Sequence, residues 1–303
     1  MRYSGNNIKM MVNHLMVNYT DQGADDAPVI IFIHGFPLNK TMWDNQVDAL
    51  KENYRVISYD IRGHGDSEQG NEDFFIELFV CDLLYLMDAL KIEKASLCGL
   101  SMGGYIALNA IENHPGRFEA LVLSDTHCIA DPPKVKQKRF DTIESIKAFG
   151  IEKYVNDSIV HLFAPESFTI HKKTILDVKE MILNTSEQSL SKTLLALSLR
   201  KATCNKLPRI TVPVLFIVGE EDKITPPETS ELMHEKIKNS TLHIISHAGH
   251  LSNMENPGEF NEQLKTFFET VYKKHEIAHT GGSTSAFTQI LHRLNMLLTF
   301  KSI

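Results

Sequence analysis

Residues 95–113 read ASLCGLSMGGYIALNAIEN, and the interpretation of the whole chain starts from this stretch. The apolar run Ala95–Cys98 predicts a buried strand, and Met102–Asn113 predicts a helix. Between them lies GLSMG at 99–103, a G-x-S-x-G motif in the strand–turn–helix context that gives the motif its meaning. The alternative is a glycine-rich turn with an incidental serine. The tight turn is expected to strain the backbone of Ser101 and to expose its hydroxyl beside the helix N-terminus.

Further apolar runs outside this stretch predict strands that alternate with helices. Most are near-continuous Val, Ile and Leu, which is typical of strands buried on both faces of a parallel sheet. The predicted strands are Val29–Ile33, Arg55–Tyr59, Ala120–Leu123, Val214–Val218 and Leu242–Ile245. The predicted helices are about Met42–Glu52, Phe74–Leu90, Pro227–Lys238 and Pro257–Lys273. This alternation predicts an α/β fold with a doubly wound, mostly parallel sheet and right-handed crossovers.

The region from about His127 to Asn205 interrupts the alternation, because its pattern is helical throughout. We predict a core formed by residues 1–126 and 206–275, with a small helical cap inserted at 127–205 over the strand ends. Residues 276–303 contain a Gly/Ser run and are expected to form a C-terminal tail, either flexible or not native to the protein.

A catalytic role for Ser101 requires partners, because a serine hydroxyl is a weak nucleophile at neutral pH. It needs a base within hydrogen-bond reach and an acid that orients the base. His250 is the candidate base, since it follows the last predicted strand in the sequence HAGH, where His247 is its competitor. Asp222 is the candidate acid, shortly after the strand Val214–Val218. Three other carboxylates stay open as rivals: Glu220, Glu221 and Asp125.

Two backbone N–H groups are expected to form an oxyanion hole for a tetrahedral intermediate. One belongs to Met102, directly after Ser101, and the other to Phe36 in the HGFP loop at 34–37. Gly35 leaves room for the substrate oxygen. His34 is expected to order the loop by hydrogen bonding rather than to perform chemistry.

One other stretch is rich in residue types that are common in active sites, and it is interpreted structurally. Asp60–Ser67 contains two glycines, which indicate a turn, and its charges are expected to pair locally. Trp43 is expected to pack beneath the loop at 34–37, and a place in a pocket wall is the alternative.

Charge and composition exclude several functions. A net charge of −7 does not suit a protein that neutralises phosphates, so no nucleic-acid partner is expected. The cysteines lack C-x-x-C spacing and are too sparse for a disulfide framework, so we expect no metal site and buried free thiols in a reducing cytoplasm. They are Cys81, Cys98, Cys128 and Cys204. The sequence has no run of 18 apolar residues, so no membrane insertion is expected. The oligomeric state stays open.

Together these motifs resemble the α/β-hydrolase superfamily over about Lys9–Lys273. Five segments are similar to the small carboxylesterases and 3-oxoadipate enol-lactonase-like hydrolases, namely 34–37, 99–104, 123–126, 213–226 and 248–250. The resemblance maps the nucleophile, acid and base onto Ser101, Asp222 and His250. It maps the oxyanion hole onto Phe36 and Met102. Haloalkane dehalogenases and epoxide hydrolases carry Asp at the nucleophile position, so Ser101 argues against both.

The resemblance implies a serine hydrolase that needs no cofactor and cleaves a small-molecule ester through an acyl-enzyme. The modest size of the predicted cap suggests small to medium acyl groups. Lactone hydrolysis and C–C bond hydrolysis with the same triad stay open. A non-catalytic ligand receptor on the same fold is the alternative from another functional class.

Overall fold

The computed structural model describes residues 4–273, which form one eight-stranded sheet with helices between the strands. The predicted α/β class and mostly parallel sheet are confirmed. The chain divides into two compact units, Met1–Gln263 and Leu264–Ile303. Of the second unit, residues 264–273 are described and are helical. The predicted tail at 276–303 lies outside the described residues.

The strand order places the predicted strands side by side at the centre of the sheet. The strands are β1 (Gly5–Val12), β2 (Leu15–Gln22), β3 (Val29–Ile33), β4 (Arg55–Tyr59), β5 (Ala95–Leu100), β6 (Phe118–Ser124), β7 (Val214–Gly219) and β8 (Ser240–Ile245). Their spatial order is β1-β2-β4-β3-β5-β6-β7-β8. The pairings β1–β2 and β2–β4 are antiparallel, and the others are parallel. The carboxyl ends of β3, β5, β6, β7 and β8 therefore lie along one edge of the sheet.

The antiparallel hairpin of β1 and β2 was not predicted from the sequence. Both strands mix polar with apolar residues, and β1 is largely solvent-exposed, so neither shows the continuous apolar run of the central strands. The sequence of the turn between them does contain a signal, namely Asn13. In the structure, Asn13 and His14 adopt φ values of 47° and 63°. Two successive positive φ values form a tight hairpin turn that matches the twist of the strands, and Asn tolerates them well.

Helices fill the connections between the strands. They are α1 (Asp44–Leu50), α2 (Ile76–Ala89), α3 (Met102–Asn113), α4 (Pro133–Leu162), α5 (Ser167–Ile170), α6 (Lys172–Leu183), α7 (Glu187–Leu199), α8 (Pro227–His234) and α9 (Ser252–Glu255), followed by helical residues 257–263. Helix α4 is kinked at Gly150, whose φ is 81°. Helices α4 to α7 lie between β6 and β7, where the cap was predicted, and we call them the cap helices. The domain boundaries at 127 and 205 stay predictions.

The turn at Asp60–Ser67 is structural. Gly63 and Gly65 adopt φ values of 75° and 50°, as a turn requires. The expected local charge pairing is wrong for Arg62, which instead forms a bidentate ion pair with Asp82 of α2, at 2.5 and 2.7 Å. The physical reason is burial, because a buried guanidinium needs a buried carboxylate as its partner.

Trp43 is fully buried next to the strand that leads into the 34–37 loop. Its ring centroid lies 4.8 Å from that of Phe32 in β3 and 6.1 Å from that of Phe260. Trp43 therefore packs in the core below the loop, as predicted.

The cysteine prediction is wrong for three of the four residues. Cys128 and Cys204 form a disulfide, with their Cα atoms 4.9 Å apart. Cys81 is exposed, and Cys98 is a buried free thiol as expected. The two cysteines are 76 residues apart in sequence. The sequence did not show that they are neighbours, because the cap helices between them must fold before the chain returns to Cys128. Disulfides persist mainly in oxidising compartments, whereas the sequence predicted a reducing cytoplasm, and the compartment stays a prediction.

Among the described residues, no helix combines the length and the apolar character needed to cross a lipid bilayer.

Removing the disulfide should destabilise the protein. Changing Cys128 and Cys204 to serine frees a loop of 76 residues in the unfolded chain, which costs about 4 kcal/mol in the chain-entropy model. Urea unfolding with and without dithiothreitol measures the loss, and the double variant should no longer respond to the reductant. Cys81→Ser, at an exposed free thiol, is the control and should leave the midpoint unchanged. A wild-type midpoint that ignores the reductant would contradict the disulfide.

Candidate active site

Ser101 occupies a strained turn between β5 and α3. Its φ and ψ are 54° and −112°, values that a non-glycine residue adopts only when its surroundings impose them. The backbone N–H of Ser101 donates to Ser124 O at 2.9 Å, and its carbonyl accepts from Thr126 Oγ1 at 2.8 Å. Ser101 is thus fixed to the end of the neighbouring strand β6, and the strain predicted from the motif is observed.

The glycines of the motif permit close backbone contacts around this turn. A Cβ atom at Gly99 would overlap the backbone of Gly103, and one at Gly103 would overlap Ile33 O. Helix α3 therefore approaches both β5 and β3 more closely than a side chain at Gly99 or Gly103 would allow. This contact places the N-terminus of α3 at the edge where β3 and β5 end.

The 34–37 loop lies directly beside Ser101. A Cβ atom at Gly35 would stand 3.4 Å from Ser101 Cβ. His34 is fully buried, its Nδ1 donates to Gly35 O at 2.9 Å, and its Nε2 accepts from the Ile61 N–H at 3.0 Å. Burial, followed by the effect of His64, holds the pKa of His34 well below its usual range, so the ring is neutral. The ordering role predicted for His34 is confirmed.

Phe36 connects this loop to the cap helices. Its ring packs against the buried cluster of Ile146, Leu190 and Leu194, which come from α4 and α7. The ring of Tyr154 lies 6.5 Å from that of Phe36, measured between centroids. The cap helices α4 and α7 thus cover the loop that carries the predicted oxyanion donor.

His250 and Asp222 form a buried hydrogen-bonded pair. His250 Nδ1 lies 2.8 Å from Asp222 Oδ2, and both side chains are at most 3% exposed. The N–H groups of Ile224 and Thr225 donate to Asp222 Oδ1 at 2.8 and 3.0 Å, and Thr225 Oγ1 donates to Oδ2 at 2.6 Å. A carboxylate held in this way fixes the proton on Nδ1 and leaves the lone pair on Nε2.

The two pKa values of this pair move in opposite directions. Burial alone would raise the pKa of Asp222, but the charge of His250 and the hydrogen bonds from His250 and Thr225 lower it below its usual value. Burial alone would lower the pKa of His250, but Asp222 outweighs it and raises the pKa. The arrangement therefore stabilises an imidazolium at His250.

Two of the rival carboxylates, Glu220 and Asp125, and the rival histidine His247 have other partners. Glu220 accepts weakly from the His247 N–H at 3.4 Å, and the largely exposed His247 side chain faces Glu166 at 3.6 Å. Asp125 is fully buried but does not orient His250: its Oδ1 accepts from Gly219 N–H at 2.8 Å. The geometry favours Asp222 as the partner of His250.

Asp125 instead connects the end of β6 to the chain that follows His250. Its Oδ2 accepts from Ser124 Oγ at 2.6 Å and from Ser252 Oγ at 2.5 Å. Burial first, and the charge of Asp222 second, raise the pKa of Asp125 to about 7. Since Ser124 also accepts from the Ser101 N–H, hydrogen bonds link the segment of Ser101 to that of His250.

A polar cluster beneath the cap helices was missed from the sequence. Arg200 stacks on Tyr105, with its guanidinium carbon 4.3 Å from the ring centroid, and pairs with Asp131 at 2.6 Å. Asp131 also pairs with Arg139 at 2.5 Å. His127 Nε2 lies 3.2 Å from Tyr105 Oη, and burial, followed by Arg200, lowers the pKa of His127 to about 4. His127, Asp131 and Arg139 lie within 13 residues of one another, but their partner Arg200 is 69 residues beyond Asp131, so the local sequence did not show that they form a cluster.

Two further site residues were also missed, Thr225 and Glu255. Thr225 follows Asp222 by three residues. An aspartate with a threonine three residues later is a local signal, because both the N–H and the hydroxyl of the threonine can donate to the carboxylate. Glu255 contacts residues 91 and 88 positions earlier in the chain, so it carries no local signal.

This chain is similar to known proteins over most of its length. Residues 28–257 match a family model described as alpha/beta hydrolase fold. The curated 3-oxoadipate enol-lactonase 2 of Acinetobacter baylyi is 28% identical over 249 residues, which are 82% of this chain and 91% of that protein. The structure of a thermophilic esterase from Thermogutta terrifontis has a TM-score of 0.83 and 30% identity, covering 87% of this chain and 98% of its own. The enol-lactonase of Burkholderia xenovorans has a TM-score of 0.81 and 26% identity, covering 86% and 100%.

Asp222→Asn should lower the pKa of His250, because it removes the carboxylate that most favours the imidazolium. NMR titration of the His250 imidazole measures the shift. The remaining carboxylates that act on this ring, Asp125 and Glu255, should keep part of the effect. Glu221→Gln is the matched control and should leave the titration unchanged. An equal fall in Glu221→Gln would show that Asp222 is not the orienting acid.

Proposed function

The chain belongs to the alpha/beta hydrolase fold family, and from this premise we propose that it is a serine carboxylic-ester hydrolase. Ser101 is the nucleophile, His250 the general base and Asp222 the acid that orients it. The observation that carries the proposal is the strained turn at Ser101 combined with the buried His250–Asp222 pair at 2.8 Å. The likeness to an esterase and to enol-lactonases supports ester chemistry.

The reaction begins when His250 Nε2 takes the proton of Ser101 Oγ as that oxygen attacks the ester carbonyl carbon. The carbonyl oxygen becomes an oxyanion and accepts hydrogen bonds from the N–H groups of Phe36 and Met102. The tetrahedral intermediate collapses, His250 Nε2 gives its proton to the leaving alcohol, and an ester of Ser101 remains. Water then attacks this acyl-enzyme by the same steps, with His250 as base, and releases the acid.

The electrostatics of the site suit these steps. Asp222 stabilises the imidazolium that forms each time His250 accepts a proton, which is why the pKa of His250 is raised. Met102 is the first residue of α3, so the positive end of the helix dipole faces the developing oxyanion. An oxyanion donor of this kind contributes on the order of 10²- to 10³-fold in kcat.

The substrate is a small-molecule ester with a small to medium acyl group. The packing of Phe36 against α4 and α7 supports this size, since the cap helices close over the loop beside Ser101. Substrate-profile kinetics decide the chain length.

Enol-lactone hydrolysis is the second candidate, favoured by the likeness to the enol-lactonases of Acinetobacter baylyi and Burkholderia xenovorans. A lactone is a cyclic ester, so the same residues perform the same steps. The difference is that the leaving oxygen stays attached to the acyl chain.

Wild type should hydrolyse p-nitrophenyl esters from C2 to C12, with the highest kcat/KM among the shorter chains. Ser101→Ala should lower kcat by several orders of magnitude, about 10⁶-fold in a comparable system. His247→Ala, at a largely exposed side chain, is the control and should keep the wild-type kcat. Full activity in Ser101→Ala would overturn the assignment of the nucleophile, and higher kcat/KM for long chains would overturn the proposed substrate size.

A parallel panel of lactones separates the two candidates. A higher kcat/KM for lactones than for open-chain esters would favour the enol-lactonase function. Absence of turnover on both panels, with binding retained, would leave a C–C bond hydrolase or a receptor as the remaining hypotheses.

A further inference from the structure

The loop that carries His250 packs directly on a segment of the cap. The backbone N–H of His250 donates to Leu162 O, the last residue of α4, at 3.0 Å. A Cβ atom at Gly249 would stand 2.6 Å from Ala164 N and 2.7 Å from Phe163 C. The backbones of the two segments therefore touch, with no side chain between them at this point. We call residues 162–167 the cap segment.

Glu255 joins the same two segments through its side chain. It is only 3% exposed. Its Oε2 accepts from the Ala164 N–H at 2.8 Å and from Ser167 Oγ at 2.6 Å, both in the cap segment. Its Oε1 accepts from the Gly249 N–H at 2.8 Å, next to His250. One carboxylate thus bridges the cap segment and the loop of the base.

Only a carboxylate can form both halves of this bridge. All three contacting groups are donors, and they face both oxygens. A glutamine would place its NH2 group against one set of donors and leave an unfavourable contact there. A buried carboxylate carries a high desolvation cost, and burial raises the pKa of Glu255 while its hydrogen bonds oppose the rise. A group retained at this cost beside His250 does more than fill space.

We propose that Glu255 is a positioning residue for His250, which it holds in register with the cap segment. The inference rests on the proposed function, because it takes His250 as the general base. Glu255 holds Gly249 to the cap segment and so fixes the backbone next to His250.

The bridge also has an electrostatic consequence for His250. Three carboxylates raise the pKa of His250, namely Asp222, Asp125 and Glu255, whereas burial lowers it. His127 also acts on His250 electrostatically, but burial keeps it neutral near pH 7. Removal of the Glu255 charge should therefore lower the pKa of His250 and move the acid limb of kcat/KM to lower pH.

The test compares Glu255→Gln, Glu255→Asp and Ser167→Ala on p-nitrophenyl butyrate. Glu255→Gln should lower kcat by about 10- to 100-fold through misplacement of the base, with KM changed little, and should shift the acid limb to lower pH. Glu255→Asp keeps the charge and should restore the acid limb. Ser167→Ala removes one donor of the cap segment, keeps the charge, and should lower kcat less than Glu255→Gln with an unchanged acid limb.

Glu259→Gln is the matched control. It removes a nearby carboxylate that pairs with His243 at 2.7 Å and should leave kcat and the pH profile unchanged. Wild-type kcat and acid limb in Glu255→Gln would overturn the proposal, and so would the same shift in Glu259→Gln. If Glu255→Gln does not fold, wild-type kcat in both Ser167→Ala and Glu255→Asp would overturn the proposal instead.

NMR titration of His250 keeps this test separate from that of the proposed function. If wild type hydrolyses no ester, the proposed function fails, but the titration of Glu255→Gln still tests the bridge. A lower His250 pKa in Glu255→Gln than in Glu259→Gln supports the positioning role. Equal titrations in the two variants overturn it.

Discussion

The strained backbone of Ser101 is the constraint on which the rest of the site depends. A non-glycine residue at φ 54° costs roughly 1–3 kcal/mol, so the neighbouring elements must hold it there. They do so because β5 is buried along its whole length and α3 packs backbone to backbone on β3 and β5. The glycines at 99 and 103 permit this contact. The apolar core under the sheet thus supplies the free energy that offsets the strain at Ser101, the proposed nucleophile.

The order of the strands then determines which polar groups meet at this edge of the sheet. Because β5, β6, β7 and β8 are successive neighbours, the loops after them converge, and three buried carboxylates surround one imidazole. Asp222 is hydrogen-bonded to His250, and the pKa of Asp222 is lowered. Asp125 and Glu255 bind neutral donors instead, and burial raises the pKa of each. One carboxylate is thus tuned to orient the ring, and the other two hold the backbone around it.

The parts of the fold that the sequence predicted are those with local signals. Continuous apolar runs identified the central strands, and the G-x-S-x-G motif predicted the strained turn at Ser101 and the limits of α3 correctly. The family match over 28–257 confirms the resemblance inferred from the motifs. What was missed depends on long-range contacts or on mixed patterns. Polar residues concealed the hairpin of β1 and β2, and the disulfide joins residues 76 positions apart. The contacts of Glu255 with the cap segment were missed because they join residues 88 and 91 positions apart.

Three features of the cap helices and the residues next to them bear on the geometry of the proposed site, each in a different way. The disulfide joins the two ends of the insertion, so the cap has a fixed attachment. Helices α4 and α7 pack on Phe36 and so contact the loop of the proposed oxyanion donor. The cap segment binds the His250 loop through Glu255 and Leu162 O. Because the cap contacts both the proposed oxyanion donor and the proposed base, a shift of the cap alters two parts of the site at once. Changes in the cap that leave Ser101, His250 and Asp222 intact should therefore act on kcat as well as on substrate binding.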